Sequence, residues 1–177
     1  MNIFLIRHGM PVNGKKYRGN LVDDPLSKEG MSSMVRSVKG KNFDLVISSP
    51  MTRCLDFAKF LSIKMKIKLL IRDELKEVGF GDWQGKNSNQ IGLEKIKRFK
   101  SNPVKFPVKN AEPLDSFFNR VISSYEKIVF EYKNYKNILI VTHAGVIRAI
   151  LTHENNGCLE DMYKIEIKNS EMIKILR

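Results

Sequence analysis

The sequence predicts an α/β protein: a three-layer α/β/α sandwich around a mostly parallel central sheet. Two observations carry that prediction. Short apolar runs, Ile3-Phe4-Leu5-Ile6, Leu45-Val46-Ile47 and Ile138-Leu139-Ile140-Val141, each stop at polar or glycine residues, which is the pattern of strands covered on both faces. Between them lie stretches whose apolar residues recur at helical spacing, and strands that alternate with helices pair in parallel with helices on both sides of the sheet.

Taken in order, the run at residues 3–6 gives a first strand, and Ser27 to Val38 reads as a helix behind it. Phe43-Asp44-Leu45-Val46-Ile47 gives a second strand, followed by a helix from Met51 to Ser62. The alternating Ile63-Lys64-Met65-Lys66-Ile67-Lys68-Leu69 suggests a half-exposed strand or the approach to one. Leu114, Phe117, Phe118, Val121, Ile122, Tyr125, Ile128 and Val129 share one helical face, with Pro113 suited to the first helical position. Ile138 to Val141 forms a further strand, and Val146 to Leu151 begins a helix directly behind His143. Tyr163 to Ile167 and Met172 to Leu176 read as two closing strands joined by Lys168-Asn169-Ser170-Glu171.

At 177 residues the chain is expected to form one domain, 1–177, with no repeat or Pro/Gly/Ser linker to divide it. The N-terminal apolar run is too short for a signal peptide or membrane span, so a cytoplasmic protein with no membrane partner is expected. Cys54 and Cys158 are too few for a disulfide framework or a zinc site. The formal net charge of +12 invites a nucleic-acid reading. Yet the lysines are spread along the chain without a nucleic-acid-binding motif, which points to a solvated basic surface and no specific nucleic-acid partner. One local excess stands out: seven lysines and arginines between Lys86 and Lys109 face the single acid Glu94.

The strand ends hold the chemistry. Ile3–Ile6 stops at Arg7-His8-Gly9 and Ile138–Val141 at Thr142-His143-Ala144-Gly145. Parallel strands would bring His8 and His143 together at the carboxyl edge of the sheet, where open α/β sheets hold ligands. Ser48-Ser49-Pro50 ends the second strand, and Arg53 in the following helical turn would reach the same edge as Arg7. Two guanidiniums beside two imidazoles suit a phosphoryl dianion, because arginine presents a planar fork of donors and keeps its charge.

Four segments resemble, in order, the motifs of the histidine phosphatase (phosphoglycerate mutase-like) superfamily. They are Leu5-Ile6-Arg7-His8-Gly9, Ser48-Ser49-Pro50-Met51-Thr52-Arg53, Leu75-Lys76-Glu77-Val78-Gly79-Phe80-Gly81-Asp82-Trp83-Gln84-Gly85 and Val141-Thr142-His143-Ala144-Gly145. The resemblance implies a phosphoglycerate mutase-like fold and a phosphatase that forms a phosphohistidine on His8, with Arg7, Arg53 and His143 holding the phosphate and Glu77 as proton donor. Asn13 and Ala144 are further candidates for substrate contact, and Phe80 and Trp83 for apolar walls around Glu77. No metal or other cofactor is expected, since side chains supply the positive charge. The basic segment 86–112 is expected to cover the site and guide an anionic substrate.

Departures from the family pattern bear on substrate. Met10-Pro11 replaces a common Glu-Thr after Arg-His-Gly, and Ala111-Glu112-Pro113 keeps only the glutamate of a Gly-Glu-Ser motif. Tyr17-Arg18-Gly19 before Asp24-Pro25-Leu26 resembles the alpha-ribazole phosphatase branch. The expected reaction is hydrolysis of a small phosphate ester. Mutase-type phosphoryl transfer, alpha-ribazole phosphatase action in cobalamin synthesis and protein phosphohistidine hydrolysis stand as alternatives. From other classes come a divalent-metal hydrolase ligated by His8, His143 and Glu77, and a silent binding module. His153 fits no motif and reads as a surface or helix-end residue.

Overall fold

In the computed structural model, which describes residues 1–177, five strands form one sheet in the order β3-β2-β4-β1-β5. The elements run β1 (Asn2–Arg7), α1 (Lys28–Ser37), β2 (Leu45–Ser48), α2 (Thr52–Met65), β3 (Lys68–Ile71), α3 (Ser88–Ile91), α4 (Leu93–Ser101), α5 (Leu114–Glu131), β4 (Asn137–Thr142), α6 (Ala144–Glu154) and β5 (Met172–Leu176). Only β5 is antiparallel, pairing with β1.

Strand alternation builds the layers. On one face of the sheet Ile6, Val46, Leu139 and Val141 pack against Met34 and Val38 and against Cys54, Phe57, Ala58 and Leu61 of α2. On the other, Ile3, Leu5, Leu45, Ile47, Ile138 and Ile140 pack against Phe117, Val121, Tyr125 and Ile128 of α5 and Val146, Ile147 and Ile150 of α6. Successive side chains of a strand point to opposite faces, so a wholly apolar strand feeds both cores.

Three boundaries differ from those read in the sequence. Helix α2 absorbs Ile63 to Met65, ending where Lys66 turns left-handed at φ 55°, and the strand that follows is Lys68–Ile71. Pro113 caps α5 instead of opening it. The third difference is larger. Residues Leu159–Lys164 form a 3-10 helix, and no strand runs from Tyr163 to Ile167. The period-2 pattern there is extended in character, but β1 is already flanked by β4 and β5. The carbonyls of Ile165 and Ile167 instead accept from Arg148 Nε at 2.8 Å and from an Arg7 terminal nitrogen at 2.7 Å.

Candidate active site

Register brings the two histidines together. Arg7 pairs with Thr142 at the end of β1 and β4, and the His8 N–H continues the ladder to the Thr142 carbonyl at 2.9 Å. The next residue of each chain is therefore His8 and His143, whose rings lie edge to face with centroids 5.4 Å apart. Gly9 permits the turn that follows: a Cβ there would stand 2.2 Å from the Gly30 carbonyl oxygen in the first turn of α1.

A cavity of about 580 Å³ opens at this carboxyl edge, and Arg7, His8, Arg53, Glu77 and Ala144 all line it. His143 lies fully buried beneath them. Asn13 lies outside the lining, exposed at a left-handed φ of 65°, with its side-chain amide donating to Asp24 at 3.3 Å. Phe80 forms part of the wall, while Trp83 stands behind it against Tyr17 and Phe99.

The His8 ring has a defined orientation. Its Nδ1 is 2.7 Å from the Gly9 carbonyl oxygen. A carbonyl only accepts, so Nδ1 carries the proton and Nε2 keeps its lone pair. Burial, followed by the charges of Arg53 and Arg7, pushes the His8 pKa well below the ordinary 6.5. The imidazole is thus neutral at neutral pH. His143 is lowered in the same way by burial and Arg53, and its Nε2 lies 2.8 Å from the Ser49 hydroxyl.

The arginines are held from behind. Arg53, 1% exposed, donates to the carbonyls of Val22 at 3.0 Å and Gly19 at 2.8 Å, and Asp23 stands 3.7 Å away. Arg7 donates to Ile167. In each the buried Nε–H has no partner in the protein. A buried donor left unpaired costs about 1–3 kcal/mol, so two in one cavity point to an acceptor supplied from outside.

Glu77 sits on a braced loop. Its carboxylate accepts from the N–H groups of Val78 and Gly145, both at 3.1 Å. Gly145 is required for this approach, because a Cβ there would fall 2.2 Å from Glu77 Oε1. Beneath the loop, Arg120 donates to the carbonyls of Glu74, Lys76 and Glu77, and it pairs with Glu112 at 2.7 Å. Glu112 in turn accepts from the Gly79 N–H at 3.0 Å. The glutamate retained from the Gly-Glu-Ser motif therefore fixes the segment that carries Glu77.

Of the segment 86–112, Ser88 and Lys100 reach the cavity, whereas exposed Lys97 is paired with Glu94 at 3.0 Å. Cys54 is buried against His143 and the Thr142 carbonyl, as its packing role requires. His153 ends α6, bonded to Glu126. Glu126, His153 and Glu154 form the one trio of side chains close enough to share a cation, and the Arg177 guanidinium already contacts both of its carboxylates. The ligand atoms of His8, His143 and Glu77 do not all lie within 4.8 Å of one another.

The description "Histidine phosphatase superfamily (branch 1)" matches residues 3–177. The chain belongs to that superfamily. A Hydrogenobacter thermophilus protein named "Putative phosphoserine phosphatase 2" is 30% identical over 181 residues, covering 98% of this chain and 88% of its own. The Escherichia coli adenosylcobalamin/alpha-ribazole phosphatase is 28% identical, covering 85% and 77% of the two chains. Among solved structures, the alpha-ribazole phosphatase of Shigella flexneri superposes with a TM-score of 0.80 at 26% identity, covering 98% and 89%. This histidine phosphatase thus has both the fold and the enzyme class that its four motifs imply.

The cavity also holds residues that the motifs did not single out. Arg148, Tyr163, Lys168 and Asn169 line it. Arg148 follows Ala144 by one helical turn on the same face of α6, a spacing visible in the sequence. Tyr163 carried no such signal.

Proposed function

We propose that this phosphatase hydrolyses small phosphate monoesters without a metal, through a covalent phosphohistidine on His8. The unpartnered Nε–H donors of Arg7 and Arg53 carry the reading, because they face an acceptor deficit in the same cavity as an imidazole with a free Nε2. A phosphoryl group satisfies both requirements.

In the first step the Nε2 lone pair attacks phosphorus while the ester P–O bond breaks. Glu77, as the carboxylic acid, gives its proton to the departing oxygen. Arg7, Arg53 and His143 hold the equatorial oxygens while attacking and leaving atoms are in line. The N–H of Ala144, at the open start of α6, adds a backbone donor. In the second step Glu77, now the carboxylate, takes a proton from water as the water oxygen attacks phosphorus. The P–N bond breaks, Nε2 regains its lone pair and inorganic phosphate leaves. The lowered pKa of His8 keeps the nucleophile deprotonated at neutral pH. Solvated lysines around the mouth let water reach the intermediate, which favours hydrolysis over transfer to a second substrate.

The test uses a generic aryl phosphate. Wild-type protein is expected to release phosphate in the presence of EDTA and to yield an acid-labile phosphohistidine on rapid quench. His8→Ala is expected to lose both. Turnover retained in His8→Ala, or abolished by EDTA, would overturn the mechanism.

A further inference from the structure

Resting on that reading, we propose that the natural substrate carries a second anionic group on its leaving side, received by Arg148 and Tyr163. The argument starts from how the arginines are paired. Of the arginines that are buried or half-buried, Arg18, Arg53, Arg72 and Arg120 each contact a carboxylate. Arg7 and Arg148 have none, and both line the cavity. Arg7 is assigned to the phosphoryl group, so Arg148 is left as an uncommitted, half-buried charge.

Arg148 is also held in place. Its Nε donates to the Ile165 carbonyl at 2.8 Å, and its guanidinium carbon lies 5.2 Å from the Tyr163 ring centroid. That leaves the terminal nitrogens as a fork, the geometry that matches a carboxylate or phosphate. Beside it the Tyr163 hydroxyl is buried and has no partner in the protein. Three of the four buried side-chain atoms that lack partners, Arg7 Nε, Arg53 Nε and Tyr163 Oη, are on residues that line this cavity.

Charge supports the assignment. Arg7 and Arg53 match a phosphoryl dianion, yet Lys15, Lys16, Lys100, Arg148 and Lys168 also line the cavity without an ion-pair partner, against the single acid Glu77. Exposed lysines alone would mean little. Together with a fixed arginine and a buried hydroxyl they form a wall suited to a second negative charge.

The test compares matched esters: 3-phosphoglycerate against glycerol 3-phosphate, and glucose 1,6-bisphosphate against glucose 6-phosphate. A charge-assisted contact predicts kcat/KM at least about tenfold higher for the anionic member of one pair, and the pair that responds tells carboxylate from phosphate. The preference should shrink in Arg148→Gln and Tyr163→Phe, and at high salt. Lys100→Gln and Lys168→Gln, substitutions of exposed side chains, should narrow it by a smaller factor. No preference in either pair, with normal turnover and phosphohistidine on His8, would overturn the second subsite and leave the phosphatase mechanism standing. A preference unchanged in both Arg148→Gln and Tyr163→Phe would also overturn it. Absence of turnover and of phosphohistidine would bring down both readings.

Discussion

The two ends of the cavity are built differently. At the end proposed to hold phosphate, His8, His143 and Arg53 are buried, rise from strand ends or the first turn of a helix, and are gripped by backbone carbonyls or a neighbouring hydroxyl. At the mouth, Lys15, Lys16, Lys100 and Lys168 are exposed on loops and at the end of α4, while Arg18, Arg148 and Tyr163 are held in place. Transition-state charge is stabilised best by donors that need not reorganise, whereas a mouth that sorts leaving groups tolerates mobile charges. Rigidity therefore belongs to the phosphorus and adaptability to whatever is attached to it.

The sharpest way to break this contrast is at Arg53. Arg53→Lys keeps the charge but loses the fork, the contacts to Val22 and Gly19, and the geometry toward phosphate. A fall in kcat of about 10²-fold is expected, in line with removal of one fixed oxyanion donor. The corresponding change at the mouth, Lys16→Gln, should stay within about threefold for a generic aryl phosphate, as expected of an exposed charge. Steady-state kinetics on the two variants decide the matter, and equal losses would refute the division of labour.

The same contrast governs what could be read from the sequence. His8, His143, Arg7 and Arg53 were legible because strand termini and a helix start fix them: once the apolar runs are recognised, register alone brings His8 beside His143. The mouth is assembled from segments distant in sequence, residues 15–19, 88–100 and 163–169; Tyr17-Arg18-Gly19 and the basic excess after Lys86 marked the first two, and nothing marked the third as part of a site. Its main wall is also where the predicted strand at Tyr163–Ile167 failed. Alternation of Tyr163, Ile165 and Ile167 describes extended backbone, but whether a sheet edge is free for it depends on the completed sheet. Arg7 and Arg148 take the two carbonyls that a ladder would have used. The Glu112–Arg120 brace was half visible, as a motif remnant whose partner lies eight residues on.

A smaller effect is expected where Glu77 is disturbed without removing it. Gly145→Ala places a methyl group against the Glu77 carboxylate, and Arg120→Met frees the carbonyls of Glu74, Lys76 and Glu77. In the proposed mechanism both changes act through the position of the proton donor. They should lower kcat for alkyl phosphates by about tenfold, within the range of general acid catalysis, and affect aryl phosphates with acidic phenols much less. A loss independent of the leaving group would mean that the loop serves stability or binding instead. Thermal melting of Arg120→Met separates those outcomes, since the partly buried carbonyls of Lys76 and Glu77 also lose their donor.

The mildest effect concerns pH. Burial and the neighbouring arginines lower the pKa of His8 and His143 below the 6.5 of an unfolded chain. The acid limb of kcat/KM for an aryl phosphate should therefore lie below pH 6.5, and a limb at or above that value would contradict a neutral His8 nucleophile. The same shifts couple to folding. Between the folded and unfolded pKa values the unfolded chain binds more protons, so stability rises with pH there. The contribution of each neutral histidine is complete above pH 6.5 and is lost as pH falls toward the folded-state value. Acid-labile carboxylate pairs act in the same direction, so the useful measurement is a difference: the melting temperature of wild type should fall more steeply below pH 6.5 than that of His143→Asn, which removes one of the two titrating rings. Parallel curves would show that His143 is not held neutral by its burial beneath the phosphate end, and the claim that rigidity is concentrated there would lose one of its supports.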